Sequence, residues 1–171
     1  FIDTEVAETL INMFESAGMT IEMGRPLKAC ALTDSGVELS LEDDSVLSAE
    51  TLLFAAGRGG NTVGLGLESV GLEPNRRGLL VVNEEYQTQV PSIYAVGDII
   101  GFPALASTSM EQGRLAVCHA FGFEYKSELA THLPYGIYTI PECAMVGESE
   151  KELKARSKSY EVGRAFYGEN A

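Results

Sequence analysis

Residues 92–113 read SIYAVGDIIGFPALASTSMEQG, and the reading of this stretch decides the fold. Residues 92–96, with Ile93, Tyr94 and Val96, have the length and apolar composition of a buried strand. The run stops at Gly97-Asp98. A loop holding Gly101 and Pro103 follows, and a helical pattern begins near Leu105. A strand, a Gly-Asp pair, a Gly/Pro loop and a helix start describe a ligand-holding corner of an α/β sheet, where ligands sit beyond the carboxyl ends of the strands. The N–H groups of a helix start carry partial positive charge for electron-rich atoms. Gly97 would let the backbone approach a ligand closely. The same residues also read as a plain turn in which Asp98 caps local N–H groups.

Upstream of this corner, residues 51–56 (TLLFAA) are a continuous apolar run, expected as a strand buried on both faces of a parallel sheet. The run enters Gly57-Arg58-Gly59-Gly60-Asn61-Thr62, which is either a flexible exit loop or a place where backbone comes close to a nucleotide. Neither Gly57-Arg58-Gly59 nor Gly64-Leu65-Gly66 continues into G-x-G-x-x-G, so the dinucleotide fingerprint is absent here. Residues 3–17 predict a helix with Val6, Leu10, Met13, Phe14 and Ala17 at helical spacing. A strand is expected at 19–23, and an antiparallel meander at 27–32, 37–41 and 46–48, with Glu42-Asp43-Asp44 as a solvated turn. Leu65, Leu67, Val70 and Leu72 suggest a short helix and its exit, followed by a turn at 74–78 and a strand at 79–82.

The helix after Pro103 is expected over 105–121, with Leu105, Ala106, Met110, Ala116, Val117, Ala120 and Phe121 as its apolar side. Gly113 inside it costs about 1 kcal/mol against Ala, which a close backbone neighbour would justify. After a polar link at 126–133 come strands at 137–140 and 144–146. A short helix opened by a Ser149/Glu152 capping box and a last strand at 160–167 complete the chain.

The 171 residues give room for one ordinary domain or parts of two or three, and 45% hydrophobic residues suffice for a packed core. No apolar run is long enough to span a bilayer. The acidic first ten residues lack the basic start of a signal peptide, and a chain beginning at Phe1 reads as an interior piece of a longer protein. Twelve Lys and Arg against 25 Asp and Glu give a formal charge of −13, which argues against nucleic-acid or anionic-membrane partners. A dinucleotide stays possible, because local backbone dipoles bind it. Cys30, Cys118 and Cys143 are far apart, with no C-x-x-C or C-x4-C, which suits a reduced, cytoplasmic setting. With only His119 and His132 as imidazoles, no metal site is expected.

Tyr94-Ala95-Val96-Gly97-Asp98 resembles the second flavin-binding segment of the FAD-dependent pyridine nucleotide–disulfide oxidoreductases, where an apolar strand ends in A-x-G-D. The resemblance implies that Asp98, beside Gly97, binds a ribityl hydroxyl of FAD. It places the helix start at Ala104, Leu105, Ala106 and Ser107 against the pyrimidine side of the flavin. Gly57-Arg58 and Asn61-Thr62 resemble the family's G-R-x-P-N-T, which implies that Gly57 lies against bound NAD(P). Gly60 stands where Pro is usual, a departure expected to loosen the loop. Residues 135–150 resemble the start of the family's dimer-interface domain.

The resemblance thus implies an α/β fold: pieces of a two-dinucleotide-domain flavoprotein plus the start of an α+β dimer-interface domain. The expected boundaries are 1–60 (end of the NAD(P) domain), 61–127 (second FAD segment) and 128–171 (start of the dimerisation domain). Residues 101–107, 112–114 and 160–166 resemble one branch, the soluble, Si-specific pyridine nucleotide transhydrogenases. That implies hydride transfer between NADPH and NAD+ by way of FAD, in a homodimer or higher homo-oligomer, with no residue of this chain as a proton-transferring catalyst. Dihydrolipoamide dehydrogenase or a related disulfide reductase is the alternative enzyme. A non-catalytic interaction module or inactive fragment is the alternative of another class. The residues that distinguish them, two G-x-G-x-x-G turns with or without a C-x4-C, would lie upstream of Phe1.

Overall fold

The computed structural model describes residues 2–130 and 132–169. It divides into two compact units, one formed by Phe1–Leu53 with Pro134–Ala171 and the other by Phe54–Leu133.

The first unit opens with helix α1 (Thr4–Ser16), capped by Asp3, whose Oδ1 accepts from the Glu5 N–H at 3.1 Å. Ala7, Leu10, Ile11 and Phe14 are its half-buried face. The meander is present as β1 (Leu27–Thr33), β2 (Gly36–Leu41) and β3 (Val46–Ala49), antiparallel in the order β1-β2-β3. Alternation along β2 brings Leu41 into the core at 5% exposure, while β1 and β3 stay exposed. A hairpin pairs β4 (Pro134–Ile137) with β5 (Cys143–Val146), so the first of these strands lies three residues earlier than the apolar run at 137–140 suggested. The expected capping box opens α2 (Glu150–Ala155 is its range): Ser149 Oγ accepts from the Glu152 N–H while Glu152 accepts from the Ser149 N–H. Asp3 ties the two helices together, its Oδ2 accepting from the Glu150 N–H at 2.9 Å. Residues 19–23 and 160–167 form no strand, because neither stretch meets a partner among the described residues.

The turn joining β2 to β3 is acidic and organised. Arg25 donates through Nε and Nη2 to Asp43 Oδ2 (3.1 and 2.8 Å), and Asp43 Oδ1 accepts from the Ser45 N–H at 3.1 Å. The Ser45 hydroxyl and N–H, and then the Arg25 guanidinium, hold the Asp43 carboxyl down to about 2. A depressed carboxylate stabilises the fold above its ordinary value of 3.8, and that contribution is lost as pH falls toward 2. Carboxyl-detected NMR should therefore show Asp43 titrating with a midpoint near 2. A midpoint near 4, the ordinary range for aspartate, would mean that the turn does not hold the carboxylate in solution.

The second unit holds the long helix α3 (Ala106–Phe121) and two short 3-10 helices, Leu67–Val70 and Gly97–Ile100. Its apolar core is Leu72, Leu80, Ala95, Leu115, Ala116 and Cys118. Residues 51–56 are not a strand buried on two faces. They are exposed, Leu53 at 84% and Phe54 at 77%, and no neighbouring strand pairs with them among the described residues. A parallel strand needs such neighbours for its N–H and C=O groups. Residues 92–96 make one antiparallel bridge, Gln87 with Tyr94, and residues 79–82 enter no sheet among the described residues.

The buried face of α3 also differs from the expected one. Met110, Val117 and Phe121 are 58%, 50% and 71% exposed, whereas Thr108, Gln112, Leu115, Ala116 and Cys118 are buried. Gln112 turns inward because its Oε1 accepts from the Gly97 N–H of the Gly-Asp corner, whereas Thr108 Oγ1 is buried without a hydrogen-bond partner among the described residues. Gly113 has open space where a Cβ would stand, so no close neighbour accounts for it. Among the described residues no helix is long and apolar enough to cross a membrane.

Candidate cofactor-binding corner

Gly97 begins a 3-10 turn and is buried, with φ of 76°. Its N–H donates to Gln112 Oε1 at 2.7 Å, a buried bond from the corner into the middle of α3. A Cβ on Gly97 would lie 2.8 Å from Ser109 Oγ and 3.2 Å from Ser109 Cβ. Glycine is thus required both by the left-handed backbone and by the closeness of α3. The close approach it permits is to this helix, not only to a ligand.

Asp98, unlike Gly97, is not buried. It is exposed, and among the described residues its carboxylate accepts no hydrogen bond; only its main-chain carbonyl is used, by the Gly101 N–H at 3.1 Å. The local-cap reading of Asp98 therefore does not describe this turn. Ile99 O accepts from the Leu80 N–H at 2.9 Å and fixes the turn against the extended segment beside it.

Helix α3 starts after Leu105, whose side chain offers no cap. The first helical bond is Ser109 N–H to Leu105 O at 2.8 Å, and Ser109 Oγ also donates to that carbonyl at 3.0 Å. The N–H groups of Ala106, Ser107 and Thr108 face no acceptor among the described residues. Ala104, Ala106 and Ser107 are exposed and Leu105 is half-buried. The structure thus joins Gly97, Asp98, Ala104, Leu105, Ala106 and Ser107 by the 3-10 turn, the loop and the helix start: a free carboxylate in the turn and, after the loop, free N–H donors at the positive end of a helix of 16 residues.

Gly57 stands apart. It is exposed, has φ of 90°, and would have nothing within 4 Å of a Cβ. Three residues on, the loop is pinned. Gly60 N–H donates to Arg77 O at 2.8 Å, and Thr62 Oγ1 donates to Gly78 O at 3.2 Å. Proline has no N–H to make the first of these bonds. Gly60 in place of Pro therefore does not loosen the loop; it supplies the donor that fastens it.

Sequence reading missed Thr108, Ser109 and Gln112. Their signal was a polar stripe at i, i+1 and i+4 in the first half of the helix. The segment before the corner is held by a small network as well. Gln87 Nε2 donates to Pro91 O (2.9 Å) and Tyr94 Oη (3.2 Å), and Tyr94 Oη lies 2.8 Å from His119 Nδ1. Among the described residues no cluster of three or more His, Cys, Asp or Glu could hold a metal ion.

A profile described as pyridine nucleotide-disulphide oxidoreductase matches residues 1–113. The chain belongs to the pyridine nucleotide–disulphide oxidoreductase family. Within it, the chain is 44% identical over 171 residues to a soluble pyridine nucleotide transhydrogenase of Marinomonas sp. (strain MWYL1), covering 100% of this chain and 37% of that one. It is 46% identical over 167 residues to the soluble pyridine nucleotide transhydrogenase of Serratia proteamaculans (strain 568), covering 98% and 36%. Among solved structures, LpdA from Mycobacterium tuberculosis superposes with a TM-score of 0.79 at 32% identity, over 92% of this chain and 34% of that one. The HOCl-induced flavoprotein disulfide reductase RclA from Escherichia coli gives 0.77 at 25% identity, over 93% and 36%. The chain thus spans just over a third of the length of these family members, and its α/β architecture is a piece of theirs.

Proposed function

We propose that this chain supplies the second flavin-binding segment of an FAD-dependent enzyme that transfers hydride between NADPH and NAD+. The observation that carries the reading is Asp98, an exposed carboxylate without a partner among the described residues, in the turn that leads by one loop to a helix start whose first three N–H groups are also free. These residues fit a flavin: the carboxylate suits a hydroxyl donor of the ribityl chain, and the N–H groups suit the electron-rich edge of the ring. When bound, FAD supplies the hydride relay. The protein groups would hold and orient it: Asp98 would accept a hydrogen bond from the ribityl hydroxyl, while Ala106 and Ser107 would offer N–H groups. Ala104 and Leu105 line the approach, Gly97 fixes the turn, and Gly57 faces the nicotinamide nucleotide. Family membership and the name carried by relatives at 44–46% identity support this assignment.

In the same reading, residues 1–60 close the nicotinamide-nucleotide domain, 61–127 complete the FAD domain and 128–171 begin a dimerisation domain. The enzyme is a cytoplasmic homodimer or higher homo-oligomer. In the full-length protein, Asp98→Ala should lower FAD affinity about 10- to 100-fold, since a hydrogen bond to a charged group is worth about 1.5–3 kcal/mol. FAD content after dialysis is the readout, and unchanged retention argues against the role. NADPH oxidation with NAD+ as acceptor tests the reaction. Turnover of a disulfide in place of NAD+ would move the assignment to a disulfide reductase.

A further inference from the structure

The chain holds twelve Lys and Arg among 25 acids. Eight of the twelve stand in ion pairs with carboxylates. The other four, Arg58, Arg76, Arg77 and Lys151, have no carboxylate partner among the described residues. Three of these four gather in one place. Arg77 Nη2 donates to the Arg58 carbonyl at 3.3 Å, and Arg76 precedes Arg77 in the same turn. All three are exposed.

Backbone geometry builds this cluster. Gly60 N–H holds Arg77 O, and Asn75 Oδ1 accepts from the N–H groups of Arg77 (2.8 Å) and Leu79 (3.1 Å). Gly60 and Gly78 approach so closely that a Cβ on either would lie 2.1 or 2.3 Å from the other's carbonyl oxygen. The turn carrying Arg76 and Arg77 is therefore fastened to the loop that begins at Gly57. Grouped like charges repel, and in a chain of net charge −13 carboxylates are plentiful. The three guanidinium groups have no carboxylate partner among the described residues, and apart from Arg77 Nη2, which the Arg58 carbonyl engages, their donors stay free for an external anion, whose phosphate geometry the fork matches.

We propose that Arg58, Arg76 and Arg77 form an anion-collecting patch that captures the phosphates of the nicotinamide nucleotide and guides it toward Gly57. The proposal rests on the reading of Gly57 as nucleotide-facing. The acidic bulk of the chain repels a polyanion, and a local positive patch offsets this by raising the encounter rate.

The test uses the full-length protein with the double variant Arg76→Gln/Arg77→Gln, the charge-keeping Arg76→Lys/Arg77→Lys, and Lys151→Gln as the loss of a single positive charge elsewhere. At low salt the Gln variant should lose about tenfold in kcat/KM for NADPH, expressed in KM, and the gap should shrink at ~0.5 M salt, where the screening length is a few ångströms. The Lys variant should recover most of the loss, and Lys151→Gln should stay within twofold of wild type. Calorimetric titration with inorganic pyrophosphate gives a readout independent of turnover: wild type binds, and the Gln variant loses binding. Pyrophosphate binding that the Gln variant loses, in a protein that does not oxidise NADPH, supports the patch and sinks the hydride-transfer reading. Loss of pyrophosphate binding with an unchanged KM in an active enzyme would make the site one for free phosphate and overturn the nucleotide assignment. Equal pyrophosphate binding by wild type and the Gln variant, or an equal loss in Lys151→Gln, would overturn the patch.

Discussion

Gly60→Ala should destabilise the full-length protein by about 3 kcal/mol, the upper part of the usual range for forcing atoms into occupied space. The added Cβ would stand 2.1 Å from Gly78 O and 2.7 Å from Gly78 C, and 3.3 Å from Leu79 Cδ2. Two of these are backbone atoms, so no rotamer change relieves the contact. Either loop 57–62 or turn 75–78 must move, and the Gly60 N–H to Arg77 O bond goes with it. The disturbance should travel, because Leu80 N–H is bonded to Ile99 O beside Asp98. Thermal unfolding should show a midpoint lowered by about 6 °C or more. A midpoint within a degree of wild type would mean that the two glycines are not in contact in solution. Gly60→Pro adds bulk and removes the donor together, so it should cost at least as much as Gly60→Ala.

Gln112→Met should cost about 2 kcal/mol, although it nearly conserves volume. The side chain is 3% exposed and its Oε1 is the acceptor for the Gly97 N–H at 2.7 Å. Methionine fills the space but leaves that N–H buried without a partner. The strain falls on the residue next to Asp98, so FAD retention should drop together with stability. Chemical denaturation and FAD content after dialysis would be measured on the same preparations. A loss of stability with full FAD retention would separate Gln112 from the flavin corner and leave it a structural residue.

Local patterns were legible where a residue meets its own neighbours in the chain. The Asp3 and Ser149 caps, the turns between the meander strands and the helix after Pro103 depend on contacts within a few residues. Sequence spacing carries such contacts. The A-x-G-D run and the G-R loop marked the family, and the profile over residues 1–113 agrees. The strands at 51–56 and 92–96 were read from apolar composition alone. Composition reports a preference for burial but not the presence of a neighbour, and without paired strands these segments stay extended and exposed or form a single bridge. Hydrophobicity does not mark the buried face of α3 for a related reason: Thr108 and Gln112 are buried there while Met110, Val117 and Phe121 are exposed.

By itself, then, the sequence determined the family, the helices with their caps, the meander and the positions of Gly97 and Asp98, because these depend on residue types at short spacing. Tertiary structure alone decided that Gly97 is bonded to Gln112, fifteen residues on, and that Gly60 meets Gly78 and draws three unpaired arginines together. Each of these contacts spans a loop or turn whose path no periodicity encodes, and each is held by one backbone N–H finding its acceptor across that path.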